Sequence, residues 1–282
     1  MPLVTTEDML QKALDGGYAV GAFNVENMEM VKAVIFAASK MEAPVILQTT
    51  PSTVRYGGIS AFAALVAAET EREKIPVALH LDHGDSLEIT AVALRGGYTS
   101  LMIDGSRLPF EENVKLTKRV VEIARPNQIP VEAELGTVGG KEDGAASKGD
   151  SYTDPAQARE FECLTGIGSL AVGIGTAHGF YREQPQLDIG RLEEIRRQVS
   201  IPLVLHGASG LADEDVKACV CHGISKVNFA TELRAAYTGA IREFLREKPE
   251  IYDPKKLGSV GMECVAAVVK RKIQVCGCQG RA

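Results

Sequence analysis

The sequence predicts an α/β protein: one (β/α)8 TIM barrel spanning residues 1–282, with an additional C-terminal helix. Three observations carry that expectation. Short apolar, β-branched runs alternate with amphipathic stretches along the whole chain, the signature of parallel strands joined by crossover helices. Eight such runs can be picked out, the number that closes a barrel. Polar and titratable residues gather where these runs end, as they do when an active site is built on the C-terminal rim.

Strands are expected at 19–23, 45–48, 77–81, 100–103, 130–135, 169–174, 202–205 and 226–229. Amphipathic periodicity places helices at 28–40, 61–74, 110–125, 154–164, 191–199, 213–221 and 232–247, with the extra helix at 260–272. Pro44, Pro76, Pro130 and Pro202 stand at or just before a strand start, where a missing amide is tolerated. Gly16-Gly17, Gly96-Gly97, Gly166 and Gly223 follow helices, as C-terminal caps do.

Composition narrows the function classes. A chain of 282 residues buries an ample core without disulfides or a structural metal. The net charge is −6, with Lys+Arg 31 against Asp+Glu 37, and no basic run is present, so nucleic acid is not an expected partner. No apolar run reaches membrane-spanning length, and the first residues lack the pattern of a signal peptide. The expectation is a soluble cytoplasmic protein. Its six cysteines are then free thiols. The pairs Cys219/Cys221 and Cys276/Cys278 lack structural zinc spacing and read, with Cys163, as helix-surface and tail thiols.

Three of the five histidines, His83, His178 and His206, each follow an apolar run. Imidazoles converging from separate strand ends supply what a catalytic zinc needs: three neutral nitrogens and an open position. His80 is expected to pack beneath such a site and His222 to cap a helix end. Asn24, Gln48, Asp82-His83, Asp104, Glu134, His178, His206 and Asn228 each fall near the end of a different expected strand, which defines one rim. Segment 136–153 lacks periodicity, leaves the rim end of the fifth strand and carries Glu142 and Asp143, so it is expected to be a mobile lid. His206-Gly207-Ala208-Ser209-Gly210 and Asn228-Phe229-Ala230-Thr231 follow strands seven and eight, where barrels often bind phosphate.

These residues together resemble the class II, zinc-dependent ketose-bisphosphate aldolases. The segments that carry the resemblance include Ala22-Phe23-Asn24, His80-Leu81-Asp82-His83, Met102-Ile103-Asp104-Gly105-Ser106 and Val131-Glu132-Ala133-Glu134-Leu135-Gly136. They continue with Gly139-Gly140-Lys141-Glu142-Asp143, Gly175-Thr176-Ala177-His178-Gly179, Leu205 to Gly210 and Lys226 to Leu233. The resemblance implies a lyase that cleaves a ketose bisphosphate with one zinc ion on His83, His178 and His206. It makes Asp82 the acid/base at the C4 hydroxyl and Glu142 the carboxylate that moves protons at C3. Gly179, Gly207, Ser209, Asn228 and Thr231, with Asn24, Ala208 and Ala230 beside them, become the dihydroxyacetone phosphate contacts. Asp104 and Glu134 resemble carboxylates near the metal, orienting a ligand or holding a second ion. Hydrogen bonding within the rim is the other reading of that pair.

The wording of the motifs looks like the tagatose-1,6-bisphosphate branch, with fructose 1,6-bisphosphate or another ketose phosphate as the alternative. Gly84 stands where many tagatose-type relatives have a second histidine. Segment 253–262 lacks the arginine that fructose-type relatives use for the distal phosphate, leaving Lys255, Lys256 or Arg271. The resemblance also allows a monovalent cation near the phosphate, a homodimer or homotetramer, and a separate stabilising, non-catalytic subunit. A Schiff-base aldolase is disfavoured because no lysine stands at the rim end of a strand; Lys226 is at the other end of its strand. A metal hydrolase of this fold is disfavoured by Ala22-Phe23-Asn24, where its His-x-His would stand.

Overall fold

The computed structural model describes residues 3–142, 145–147, 152–181 and 183–282, without side chains at 141–142 and 145–147. Its strands are β1 (Val20–Asn24), β2 (Val45–Thr49), β3 (Val77–Gly84), β4 (Ser100–Ile103), β5 (Val131–Leu135), β6 (Gly139–Glu142), β7 (Ala145–Ser147), β8 (Ser169–Val172), β9 (Ala177–His178), β10 (Leu203–Leu205) and β11 (Ile224–Phe229). Eight of them close a parallel barrel in the order β1-β11-β10-β8-β5-β4-β3-β2. These are the eight expected strands, in chain order around the ring. Their residues are almost all buried because helices cover the outside and side chains fill the inside. Phe23 and Phe229 stack across the β1–β11 seam with ring centroids 5.6 Å apart.

The helices are α1 (Thr6–Gly16), α2 (Met28–Lys40), α3 (Pro51–Gly57), α4 (Ile59–Thr70), α5 (Leu87–Arg95), α6 (Phe110–Ala124), α7 (Pro155–Thr165), α8 (Ile189–Gln198), α9 (Asp213–Cys221), α10 (Thr231–Glu247) and α11 (Pro254–Cys276). The C-terminal helix is longer than its apolar periodicity suggests. Asp253 caps it by accepting the Lys255 amide, and Pro254 starts it. It packs on α2 and α10; a Cβ on Gly261 would stand 2.4 Å from the Tyr237 ring. Among the described residues, no helix is long and apolar enough to cross a membrane.

Three expectations need correction. The tail beyond α11 turns back under the barrel, where Gly280 N donates to Met41 O and Ala282 N to Glu42 O. Cys276 and Cys278 are therefore buried rather than surface thiols, as is Cys219. Secondly, 136–153 is not all irregular: β6 pairs antiparallel with β7 and parallel with β9, a small sheet above the rim. Thirdly, the sixth barrel strand ends at Val172, so His178 sits on β9 of that small sheet and not on a barrel strand.

Candidate active site

Alternation along a strand would send Asp82 and His83 to opposite faces of the barrel wall. The pairing of β3 with β4 shifts register between Leu81 and Gly84, and His83 adopts φ 47°, in the left-handed region. This bulge turns both side chains into the barrel mouth. It also brings β4 so close that a Cβ on Gly84 would lie 2.4 Å from Met102 O, leaving no room for another histidine there.

The three histidines converge. Their potential ligand nitrogens lie within 4.8 Å of one another, and the ring centroids are 4.7–6.0 Å apart. His83 Nδ1 meets Asp104 Oδ2 at 2.9 Å, and Asp104 Oδ1 accepts from Ser106 N and Oγ. His206 Nε2 meets Glu132 Oε1 at 2.9 Å, while its Nδ1 lies 3.2 Å from Glu134 Oε2, off the line a hydrogen bond needs. His178 is held by its backbone, through the Gly140↔His178 pairing. A Cβ on Gly140 would stand 2.2 Å from His178 O, so only glycine permits that approach.

Electrostatics favour a cation among these rings. Burial opposes charge on His206, but Glu132 and Glu134 outweigh it and lift the imidazole to about 9. Burial also opposes ionisation of Asp104, yet its contacts with His83 and Ser106 hold it well below the usual carboxylate range. Glu132 is likewise driven down against burial, mainly by the Lys226 ammonium.

Asp82 is clamped beside them. Its Oδ2 accepts Asn24 Nδ2 at 2.8 Å and Gln48 Nε2 at 3.1 Å, and its Oδ1 accepts Asn228 Nδ2 at 3.2 Å. The carboxylate is 1 % exposed, with its Oδ1 4.0 Å from His83 Nε2. Three amides from three strands thus fix an acid next to the imidazole cluster.

The loops after β10 and β11 form a small pocket with the turn after β9, lined by Asn24, His178, Gly179, Gly207, Ser209, Asn228, Ala230, Thr231 and Arg234. Gly207 has φ 67°, and a Cβ there would stand 2.7 Å from Ala177 O. Tyr181 Oη donates to Gly207 O and accepts from Ala177 N, both at 2.7 Å, tying β9 to this loop. Ser209 Oγ accepts the Ala230 amide at 3.1 Å. Ala208, 0 % exposed, packs into the core behind the loop.

The sequence profile of the family described as "Fructose-bisphosphate aldolase class-II" matches residues 4–281. The chain belongs to that family. This class II aldolase is similar to the YdjI aldolase from Escherichia coli K12, at 37% identity, with 99% of each chain covered and a TM-score of 0.88. It is also similar to a proposed fructose-1,6-biphosphate aldolase from Coccidioides immitis, at 30% identity, covering 97% of this chain and 96% of that one, with a TM-score of 0.88. A fructose-bisphosphate aldolase from Campylobacter jejuni shares the fold, with a TM-score of 0.84 at 22% identity and coverage of 100% and 97%.

The donor set of this aldolase fits the metal typical of its class. Two imidazoles each give one nitrogen to a carboxylate and turn the other toward the cluster, which fixes the tautomer a metal ligand needs. A second group, His83, Asp104 and Glu134, also brings ligand atoms within 4.8 Å.

Sequence reasoning missed four residues that build the site. Glu132 and Lys226 lie inside the barrel, with Lys226 Nζ 2.8 Å from Glu132 Oε2. Glu132 shares a strand face with Glu134 by simple alternation, a signal that could have found it. Tyr181 and Arg234 carry no such signal, because loop and helix geometry alone bring them in. The expected structural histidines are where they were read: His80 is buried against Ser100 Oγ at 2.8 Å, and His222 follows α9, with Nδ1 2.7 Å from Ala218 O. The side chain of Glu142, and the whole of Asp143, lie outside the described residues.

Proposed function

We propose that this aldolase reversibly cleaves D-tagatose 1,6-bisphosphate to dihydroxyacetone phosphate and D-glyceraldehyde 3-phosphate, using one zinc ion on His83, His178 and His206. The observation that carries the reading is the convergence of those imidazoles beside an amide-clamped Asp82. Zinc bound there supplies Lewis-acid polarisation of the substrate carbonyl.

The chain's own residues account for the remaining chemistry. Asp82 takes the C4 hydroxyl proton as the C3–C4 bond breaks, and returns it to the aldehyde oxygen in condensation. The bonding electrons pass toward the carbonyl at C2, and Glu142 delivers a proton to C3. Asn24, Gln48 and Asn228 keep the Asp82 carboxylate aimed through the cycle. Gly179, Gly207, Ala208, Ser209, Asn228, Ala230 and Thr231 cradle the phosphate of the dihydroxyacetone half, with a monovalent cation beside it. Asp104 and Glu134 orient the imidazoles or hold a second ion. Among the distal-phosphate candidates, Arg271 is engaged with Asp213 and Lys255 with Asp253. Lys256 is then the first to test, from this chain or from a neighbour in a homodimer or homotetramer. A stabilising non-catalytic subunit belongs to the same proposal.

The tagatose assignment is supported by the motifs Gly175 to Gly179 and His206 to Gly210. Fructose 1,6-bisphosphate is the second reading, favoured by the description of the matching family. The two sugars are epimers at C4, the carbon whose hydroxyl Asp82 faces in this mechanism. Metal-reconstituted enzyme assayed on both epimers, with triose phosphate release as the readout, separates them. A higher kcat/KM on the tagatose epimer is expected. Preference for the fructose epimer establishes the second reading, and no cleavage of either removes both.

A further inference from the structure

Among the described residues, three other than glycine adopt positive φ: Glu42, His83 and Gln128. Glu42 and Gln128 stand in turns, whereas His83 lies inside β3. An L residue in that conformation is strained and persists only where its surroundings hold it. What holds His83 comes from β4. Leu81 pairs with Leu101 and Gly84 with Ile103, so Asp82 and His83 together face the single residue Met102. The Met102 thioether accepts the His83 amide at 3.4 Å, a separation that suits an acceptor as large as sulfur. Beside it, Asp104 N donates to Gly84 O at 2.9 Å.

The setting of Met102 is unlike that of a core filler. Leu101 and Ile103 belong to the apolar core, while Met102 is fully buried yet lies outside that cluster. Alternation puts it on the face of Ser100, whose Oγ meets His80 Nδ1 in the barrel interior. A leucine would fill the same space. An unbranched thioether adds a polarisable acceptor that can follow an irregular backbone.

We infer that Met102 is a positioning residue: its sulfur holds the bulged His83 amide, and so aims His83 at the metal and Asp82 at the substrate hydroxyl. Asp104 sets the ring of His83 through Nδ1, and Met102 sets the backbone from which that ring departs. The tasks of His83 and Asp82 rest on the proposed function; the hold of Met102 on the bulge does not.

The test uses the full chain, metal-free and zinc-loaded, with the variants Met102→Leu and Met102→Gln. Leucine keeps the volume and removes the acceptor, whereas glutamine restores one, its side-chain carbonyl, at similar reach. Three quantities are compared: amide hydrogen exchange in the metal-free protein, zinc affinity by competition with a chelator, and kcat and KM for the bisphosphate. In Met102→Leu the His83 amide is expected to exchange faster by about fivefold or more. The Leu101 amide, which donates to Pro130 O from the same strand, should stay as protected as in wild type. Zinc should bind about tenfold more weakly, and kcat should fall with KM little changed. Met102→Gln should keep zinc affinity and kcat closer to wild type than Met102→Leu does, although it places an amide in the barrel interior. A residue that only fills space predicts the reverse order, and that order overturns the inference. So does a His83 amide whose exchange is unchanged, or one that quickens only in step with Leu101. If Met102→Gln does not fold, exchange in Met102→Leu decides by the same criterion. Failure of the wild-type chain to cleave either bisphosphate would count against the proposed function, whereas exchange in the metal-free protein would still decide the role of Met102.

Discussion

Glu132 Oε1 lies 2.9 Å from His206 Nε2, and Oε2 of the same carboxylate lies 2.8 Å from Lys226 Nζ, all three side chains enclosed by the barrel. One buried carboxylate thus joins an ion pair in the barrel interior to an imidazole at the candidate metal position. The cost of burying Glu132 is offset by Lys226, and the orientation of His206 depends on Glu132 staying where it is.

Lys226→Met strands that carboxylate without its cation. Loss of one partner from a buried pair costs about 3–5 kcal/mol. Urea unfolding of the metal-free variant should show a destabilisation of that order. The double variant Glu132→Gln/Lys226→Met should recover much of it, and a single variant as stable as wild type would refute the pairing.

Asp82→Asn tests the acid/base assignment with little change in shape. An amide cannot cycle the C4 proton, and its own N–H groups would face the donors of Asn24, Gln48 and Asn228. A fall in kcat of about 10²–10⁴ is expected, with zinc content retained. Steady-state kinetics alongside metal analysis checks both parts.

Gly207→Ala should damage substrate binding more than folding. The residue sits at φ 67°, where an L side chain is strained, and the new Cβ would meet Ala177 O at 2.7 Å. Relief of that collision displaces the loop carrying Ser209, so KM for phosphorylated substrates should rise by about tenfold or more while the protein remains folded. An unchanged KM would mean the loop does not cradle the phosphate.

Acid sensitivity should include a contribution from His80. Burial and the nearby Lys226 ammonium hold its imidazole well below the ordinary range, so it stays neutral in the native state while the unfolded chain protonates near pH 6.5. Its folded pKa is depressed, so the associated stability is present above about pH 6.5 and declines as pH falls toward the folded value. Metal-free protein should lose stability below pH 6.5, by at most about 1.4 kcal/mol per pH unit from this group. His80→Gln should flatten that part of the curve, measured by denaturant midpoints between pH 7 and 5.

Chelation should abolish retro-aldol activity and lower the thermal midpoint, and stoichiometric zinc should restore both. A ligand that binds only the native state stabilises it, so the midpoint reports occupancy independently of turnover. Activity untouched by chelation would exclude the zinc mechanism.

The fold was legible because parallel barrel strands are buried on both sides and therefore read as continuous apolar runs. All eight barrel strands overlap the apolar runs that predict them, the sixth ending two residues early at Val172, and helices such as 28–40 and 213–221 fall where periodicity puts them. The segment carrying β6 was not legible in this way. Its sheet forms against β9 through backbone contacts that glycine permits, as at Gly140, and no apolar alternation records them. The short helix α3 escaped notice for a related reason: its seven residues are too few to display a helical period.

The sequence by itself determined the barrel, the rim and the identity of the residues gathered there, because local periodicity and strand-end position are properties of neighbouring residues. Only the tertiary structure decided which groups touch. The bulge that turns Asp82 and His83 to one side, the path of Glu132 between His206 and Lys226, and the contact of Arg234 with Glu26 all join residues far apart in the chain. Such contacts follow from the closure of the barrel, which sets distances between strands and loops that local sequence pattern does not encode.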